Sequence, residues 1–167
     1  MNTQTGTHQG LVNSTLFSHG TMEVHDLKKS RRFYEEFLGL DCVQHHPFAL
    51  MVRKKQYFAV VAVQVGAKVH PQHVLNHWGV DVPSREDVDR AHQLAHEHQD
   101  LYGIKKIMPV TEQHGAYSFY LEDLDSNWWE IQHVPVGFHD SQFAQGDLGT
   151  RDREKGRREI ANIVTQA

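Results

Sequence analysis

Cysteine is nearly absent: Cys42 is the only one among 167 residues. That excludes a disulfide framework and any zinc site built from several thiolates, and it fits a reducing cytoplasm. A surplus of positive charge is missing too. Seventeen Lys and Arg face 21 Asp and Glu, for a formal net charge of -4, so there is no basic stripe of the kind that binds nucleic acid. No apolar run approaches the ~20 residues needed to span a bilayer. The opening MNTQTGTHQG lacks the basic segment and apolar core of a secretory signal. What is present suits a packed interior. Hydrophobic residues make up 39% and charged residues 23%, enough for one globular domain or two small modules sharing a core.

Histidine is the outlier. Fourteen of them is roughly three to four times ordinary usage. In a chain with so little sulfur, any metal site is expected to use imidazole and carboxylate ligands.

The chain divides into four parts. Residues 1–13 are polar and aperiodic and read as an N-terminal arm. Residues 14–66 form a first unit. STLFSHGTMEV alternates like a strand, and Asp26 is placed to cap a helix. Leu27, Phe33, Tyr34, Phe37 and Leu38 then recur at helical spacing, and Gly39 supplies the stop. Strand-like runs follow at Leu40–Val43, Phe48–Val52 and Tyr57–Val65. Residues 67–135 repeat the order. VLNHWGVDV reads as a strand, and Ser84 caps a second helix with Asp87 as the acid of a capping box. Val88, Ala91, Leu94 and Ala95 give that helix its apolar stripe. Strands are expected at Ile104–Val110, Ala116–Leu121 and Trp128–Val134, with EDLDSN as a turn between the last two. Residues 136–167 are a C-terminal arm. There Ile160, Ile163 and Val164 suit a short amphipathic helix that packs on the surface or on a second subunit, and RDREKGRR reads as a solvated face.

The two units align at an offset of 58 residues without gaps. His19 falls on His77, Met22 on Val80, Val24 on Val82 and Asp26 on Ser84. This is an internal repeat. The predicted fold is α+β: two tandem βαβββ modules forming a curved mixed sheet around a cleft. Equivalent positions of paired modules point into one cavity, so His19 and His77 are expected to meet there.

A third ligand is expected from a last strand. Glu130 stands among Trp128, Trp129 and Ile131. On a solvated face it needs no explanation; on the cleft face it would be a buried carboxylate, tolerable only when paired or bound to a metal. Two histidines and one carboxylate with open positions is the facial triad of non-haem Fe(II) enzymes. The equivalent strand of the first unit, YFAVVAVQV, has no acid. A fourth protein ligand is therefore absent, unless Gln64 serves weakly.

On HGTMEVHDLKKSRRFYEEFLGL, NHWGVDV and FYLEDLDSNWWEI, the chain resembles the vicinal oxygen chelate superfamily over roughly residues 14–134. That group includes glyoxalase I, bleomycin-resistance proteins, fosfomycin-modifying transferases and extradiol dioxygenases. Leu124 and Ser126 stand where proline and glycine are usual. The resemblance implies a metal-dependent enzyme, with His19, His77 and Glu130 as ligands and Fe(II), then Mn(II), as the ion. It further implies extradiol chemistry: Tyr120 corresponds to a tyrosine that hydrogen-bonds the substrate, and His114 to a loop histidine that moves a proton. No residue matches the acid–base histidine those enzymes carry before the second ligand.

The expected reaction joins O2 to a catechol-like diol and opens the ring. A glyoxalase-like lyase or isomerase, or a thiol transferase, is the alternative, using a divalent metal without O2. A binding protein with a vestigial site is the third reading. The expected setting is a cytoplasmic homodimer acting on a small molecule, with no nucleic-acid or membrane partner.

Overall fold

The computed structural model describes residues 11–12, 14–55, 58–147 and 153–167. Most of the predicted N-terminal arm lies outside the described residues, as does the strand start expected at Tyr57.

In the first unit, β1 (His19–Val24) leads into α1 (Leu27–Arg32), which widens into a π turn over Phe33–Phe37. The Asp26 side chain accepts the Lys29 backbone N–H at 2.9 Å, satisfying one of the donors a helix start leaves free. Leu27, Phe33 and Tyr34 turn inward. On the other face, Arg31–Glu35 and Arg32–Glu36 pair across one turn at 2.9 Å each. Gly39 takes the left-handed φ of 65° that ends the segment. Strands β2 (Asp41–His46), β3 (Ala49–Arg53) and β4 (Ala59–Gln64) complete a sheet in the order β1-β4-β3-β2, with β1 parallel to β4.

The second unit repeats the plan: β5 (His77–Asp81), α2 (Arg85–Glu97), α3 (Gln99–Tyr102), β6 (Lys106–Ile107), β7 (Thr111–Gln113), β8 (Ala116–Glu122) and β9 (Trp128–His133). The order is β5-β9-β8-β6, with β7 also on β8 and β5 parallel to β9. Ser84 caps α2 as expected: its Oγ accepts the Asp87 N–H at 3.1 Å and donates to Asp87 Oδ2 at 2.8 Å. Of the strand expected over Ile104–Val110, only Lys106–Ile107 forms, and a second short strand follows at Thr111–Gln113. Pro109 between them cannot donate to a ladder, so pairing stops and resumes.

The α+β fold and its two mixed modules are as read from the repeat, but the strands form two separate sheets. Their inner faces share one core. Met22 and Val24 of β1 lie there with Phe119, Leu121, Trp129 and Ile131. Trp129 packs on Tyr34 and Phe33, with ring centroids 5.5 and 6.4 Å away. Gly20 is required at its place, because a Cβ there would sit 2.3 Å from the Trp78 ring.

The β8–β9 turn latches the modules together. Asp125, fully buried, accepts the His25 backbone N–H at 2.7 Å on Oδ1 and the Ser30 hydroxyl at 2.6 Å on Oδ2. Asn127 Nδ2 donates to the Glu23 carbonyl at 2.9 Å. Beyond the second sheet come α4 (Phe138–Gln145) and α5 (Arg153–Gln166). Among the described residues, no helix is long and apolar enough to cross a membrane.

Candidate metal centre

Strand alternation decides which side chains share a face. On β5, Trp78 and Val80 pack against the common core, so His77 points to the outer face. Register places Trp128 beside His77, and Glu130 between Gly79 and Tyr120. All of these therefore face outward together. Gly79 contributes no side chain, and the space opposite Glu130 is filled diagonally by the His77 ring.

His77 Nε2 lies 3.2 Å from Glu130 Oε2. The other carboxylate oxygen, Oε1, accepts the Ser118 hydroxyl at 2.7 Å. His77 Nδ1 sits 2.8 Å from the Val74 carbonyl, an acceptor only, so Nδ1 carries a proton. In the neutral ring, Nε2 then presents a lone pair to a carboxylate. Two acceptors at this distance require something positive between them: a proton shared from an imidazolium, or a metal ion. The fixed Nδ1–H with Nε2 left as donor atom is the arrangement metal-binding histidines adopt.

The electrostatics agree. Burial pulls the His77 pKa down, but hydrogen bonds to Glu130 and to the Val74 carbonyl outweigh it and leave it raised. Burial pushes Glu130 up, but His77, Ser118 and Tyr120 around it hold it below the ordinary carboxylate range. Both groups thus favour their charged forms. Tyr120 is 2% exposed, and its ring meets the His77 ring edge-on at 5.0 Å between centroids. Burial, then the Glu130 charge, drive the phenol pKa well up, so it stays a proton donor.

The structure does not bring His19 to this pair. On β1, Met22 and Val24 are buried in the common core, so His19, Thr21 and Glu23 occupy the opposite, outer face of the first sheet. The two modules stand back to back, and each outer face looks away from the other. Among the described residues, no three His, Cys, Asp or Glu side chains converge within one chain. His114 sits in the exposed β7–β8 turn with φ of 42°, its N–H directed at Glu159 Oε1 at 3.4 Å. Gln64 Oε1 accepts the Leu27 N–H at 3.1 Å. In register, Val61 stands opposite Thr21 as Glu130 stands opposite Gly79; the repeat thus places an apolar residue where a fourth ligand would be. Of the aromatics near the triad positions, Trp128 faces the site, while Trp78 and Phe119 pack in the shared core and Phe17 is exposed against Phe58.

Sequence reasoning missed Ser118 and the Val74 carbonyl. Ser118 was within reach: it lies two residues from Tyr120 on an alternating strand, hence on the same face. The Val74 contact depends on a loop bend that no pattern announces.

No functionally curated protein matches the chain. Its structure resembles a possible glyoxalase from Bacillus cereus (24% identity, TM-score 0.57, covering 71% of this chain and 99% of that one). It also resembles the fosfomycin resistance protein FosX from Listeria monocytogenes, solved with Mn(II) and sulfate (16% identity, TM-score 0.56, 80% and 99%). The oxidase ChaP-H2 is a third such structure (21% identity, TM-score 0.56, 74% and 96%). At these identities the likeness establishes a shared fold. Residues 16–131 match the family model described as Glyoxalase/Bleomycin resistance protein/Dioxygenase superfamily, and with two mixed-sheet modules in repeat the chain belongs to that superfamily.

Proposed function

We propose that this chain is a metal-dependent enzyme whose site is held by His77 and Glu130 of one copy and His19 of a second copy. The observation that carries the reading is the His77–Glu130 pair: Nδ1 is fixed on the Val74 carbonyl, and Nε2 is aimed at a buried carboxylate 3.2 Å away, two atoms that a cation can hold in place of the shared proton. His19 fits as the missing ligand because it is the repeat counterpart of His77 on an equivalent outer face. That face is itself incomplete. The row Thr21–Val61–Met51–Val43 crosses the sheet, and Val43 is 56% exposed. A two-fold pairing that lays this face over the second sheet of another copy buries it and brings His19 toward His77, twice per dimer.

The metal is proposed as Fe(II), with Mn(II) next, and the reaction as extradiol cleavage of a catechol-like diol by O2. A divalent ion held by His77, Glu130 and His19 of the second copy would supply Lewis-acid chelation of two neighbouring oxygens, and Fe(II) would add the redox capacity that joining O2 to the diol needs. The chain's own residues do the rest. Tyr120, kept protonated, donates a hydrogen bond to a substrate oxygen. Glu130, held ionised by His77 and Ser118, keeps negative charge at the ligand set. Val74 fixes the His77 ring in the orientation that exposes Nε2 outward. His114, on the turn before β8, is proposed as the proton carrier.

Elemental analysis of protein reconstituted with Fe(II) without air tests the ligands. His19→Ala, His77→Ala and Glu130→Gln should each lose most bound metal. Mixing the His19→Ala and His77→Ala chains should then restore about one intact site in four, since half of the pairs are mixed and each holds one complete set. Full metal in the His19→Ala chain alone would sink the shared site. Oxygen uptake with catechol tests the reaction, and its absence in metal-loaded protein would favour the lyase or transferase chemistry instead.

A further inference from the structure

The outer face of the second sheet is not open along its whole width. The C-terminal helix α5 crosses its β8 side. Ile163 is the helix's anchor: it is 6% exposed and buried in one cluster with Val74, Met108, Tyr120 and Trp128. Its helix neighbours Ile160 and Val164 remain 54% and 41% exposed, so docking depends on a single apolar side chain. Lys106 Nζ also donates to the Ala167 carbonyl at the helix end.

Between α5 and the sheet lies a cavity of about 220 Å³. The sheet contributes Thr111, Gln113 and Tyr120, and the helix contributes Glu159, Asn162 and Gln166. Tyr120 belongs to both places: it lines this cavity, and its ring meets the His77 ring at 5.0 Å between centroids, so one side chain separates the cavity from the candidate ligands. The helix lies outside the stretch that matches the superfamily, which ends at residue 131. This wall therefore lies beyond the matched stretch.

We propose that α5 is the outer wall of the substrate pocket, that Asn162 is a specificity-determining residue on it, and that the pocket selects a small, uncharged, hydroxyl-bearing molecule over an anionic one. The inference rests on the metal-site reading given above. The lining chemistry carries the selection. Thr111, Gln113, Asn162 and Gln166 offer neutral hydrogen-bonding groups. The charged groups in the lining are the acids Glu112 and Glu159, and no Lys or Arg is among them. Glu112 is matched by Arg85 at 2.7 Å on the outside, and Glu159 faces Lys155 at 3.9 Å. A ligand hydroxyl finds acceptors here. A ligand carboxylate or phosphonate finds no counter-charge, and burying an unpaired anion is strongly unfavourable. Size narrows the class further. The volume is below the roughly 300–1,000 Å³ of drug-sized sites, which suits a single ring with few substituents.

Catechol and 3,4-dihydroxybenzoate differ only by a carboxylate and serve as probes. Their binding to the full-length, Mn(II)-loaded protein is measured by calorimetry without air, alongside Mn(II) content. The parent should bind catechol at least about tenfold more tightly than the carboxylated probe, the effect of one unpaired charge. Ile163→Asp, which undocks the helix, should weaken catechol about tenfold with Mn(II) content unchanged. Asn162→Leu, at an exposed helix position that leaves folding intact, should weaken it about fivefold, the worth of one hydrogen bond. Asn162→Lys should shift preference toward 3,4-dihydroxybenzoate, which a purely structural wall would not do. Normal Mn(II) uptake with unchanged catechol affinity in these variants overturns the role of α5 and leaves the metal site standing. Mn(II) uptake with no diol binding, or with the carboxylated probe preferred by the parent, overturns the ligand class. A parent chain that takes up no Mn(II) overturns both readings together.

Discussion

Replacing Asp125 by alanine should loosen the joint between the modules, and the loss can be worked from its contacts. The carboxylate is fully buried and accepts the His25 N–H at 2.7 Å and the Ser30 hydroxyl at 2.6 Å. Its contact to the half-exposed His25 ring adds little because solvent screens it. Hydrogen bonds to a charged group contribute about 1.5–3 kcal/mol each. Two of them amount to about 3–6 kcal/mol. Some of that is offset, since Ser30 keeps its second partner, the Asp26 carbonyl at 2.8 Å, and Asp123 loses a like-charged neighbour. A net loss of about 3 kcal/mol lowers Tm by about 6–12 °C in a protein of this size. Differential scanning calorimetry reads this directly. Ser30→Ala should cost about 1.5–3 kcal/mol by itself, and the double variant should cost less than the sum of the two singles. A Tm within about 2 °C of the parent for Asp125→Ala, or strict additivity with Ser30→Ala, would refute the latch; both thresholds lie well inside the expected effect.

Three further outcomes follow from the geometry. Gly20→Ala places a Cβ 2.3 Å from the Trp78 ring; the forced shift at the module joint should cost about 1–3 kcal/mol by urea unfolding, and a neutral result would mean that the joint is loosely packed. Asp123, whose Oδ1 accepts the Asp125 and Asn127 N–H groups and whose Oδ2 accepts the Trp129 indole N–H, is pushed up to about 7 by burial and then by the Asp125 charge. Its raised folded pKa means the native state holds a proton that the unfolded chain releases near the ordinary value of 3.8. This group's stabilising contribution is therefore full at acid pH and fades as pH rises toward 7; a carboxyl carbon resonance with a midpoint below about 4.5, close to an ordinary carboxylate, would contradict it. Ser118→Ala removes the 2.7 Å hydrogen bond to Glu130 Oε1 and should weaken metal binding about 10–100-fold, as loss of an outer partner of a ligand does; unchanged affinity in a metal titration would show that Glu130 is held by other means.

Much of the fold was legible because its signals are local. The two helix starts are set by side chains three residues from the backbone N–H groups they satisfy, so Asp26 and Ser84 could be read directly. The helix stop at Gly39 needs a positive φ that glycine adopts freely, and the sequence put glycine there. The strand Ile104–Val110 was misread because its apolar run outweighed Pro109, whose missing N–H acts on a partner strand rather than on its neighbours in sequence. The single curved sheet was expected because the repeat was matched position by position. The repeat fixes what each module is, not how two modules face each other. That choice was made by contacts far apart in the chain: Trp129 on Tyr34, Trp78 on Gly20, and Asp125 on Ser30.

The same distinction governs the site. Glu130 could be picked out because a carboxylate on an aromatic strand has few tolerable environments, and His77 because it has a counterpart in the repeat. Both lie on adjacent strands of one sheet, so register alone brings them together. His19 is a different case. It shares His77's place in its module, and its parity on β1 puts it on the face opposite Met22 and Val24. With the inner faces of both sheets committed to one core, residues at equivalent outward positions are driven apart within a chain. The repeat symmetry that nominated His19 therefore also requires a second copy if it is to act. Within one chain, no loop movement that keeps the Asp125 latch and the Trp129 packing intact would bring His19 to the proposed His77–Glu130 site. Dimer fraction and bound metal should accordingly fall together along a dilution series followed by sedimentation and bound-metal measurement. Metal retained at full occupancy by a monomer would mean that His77 and Glu130 recruit a third ligand from elsewhere.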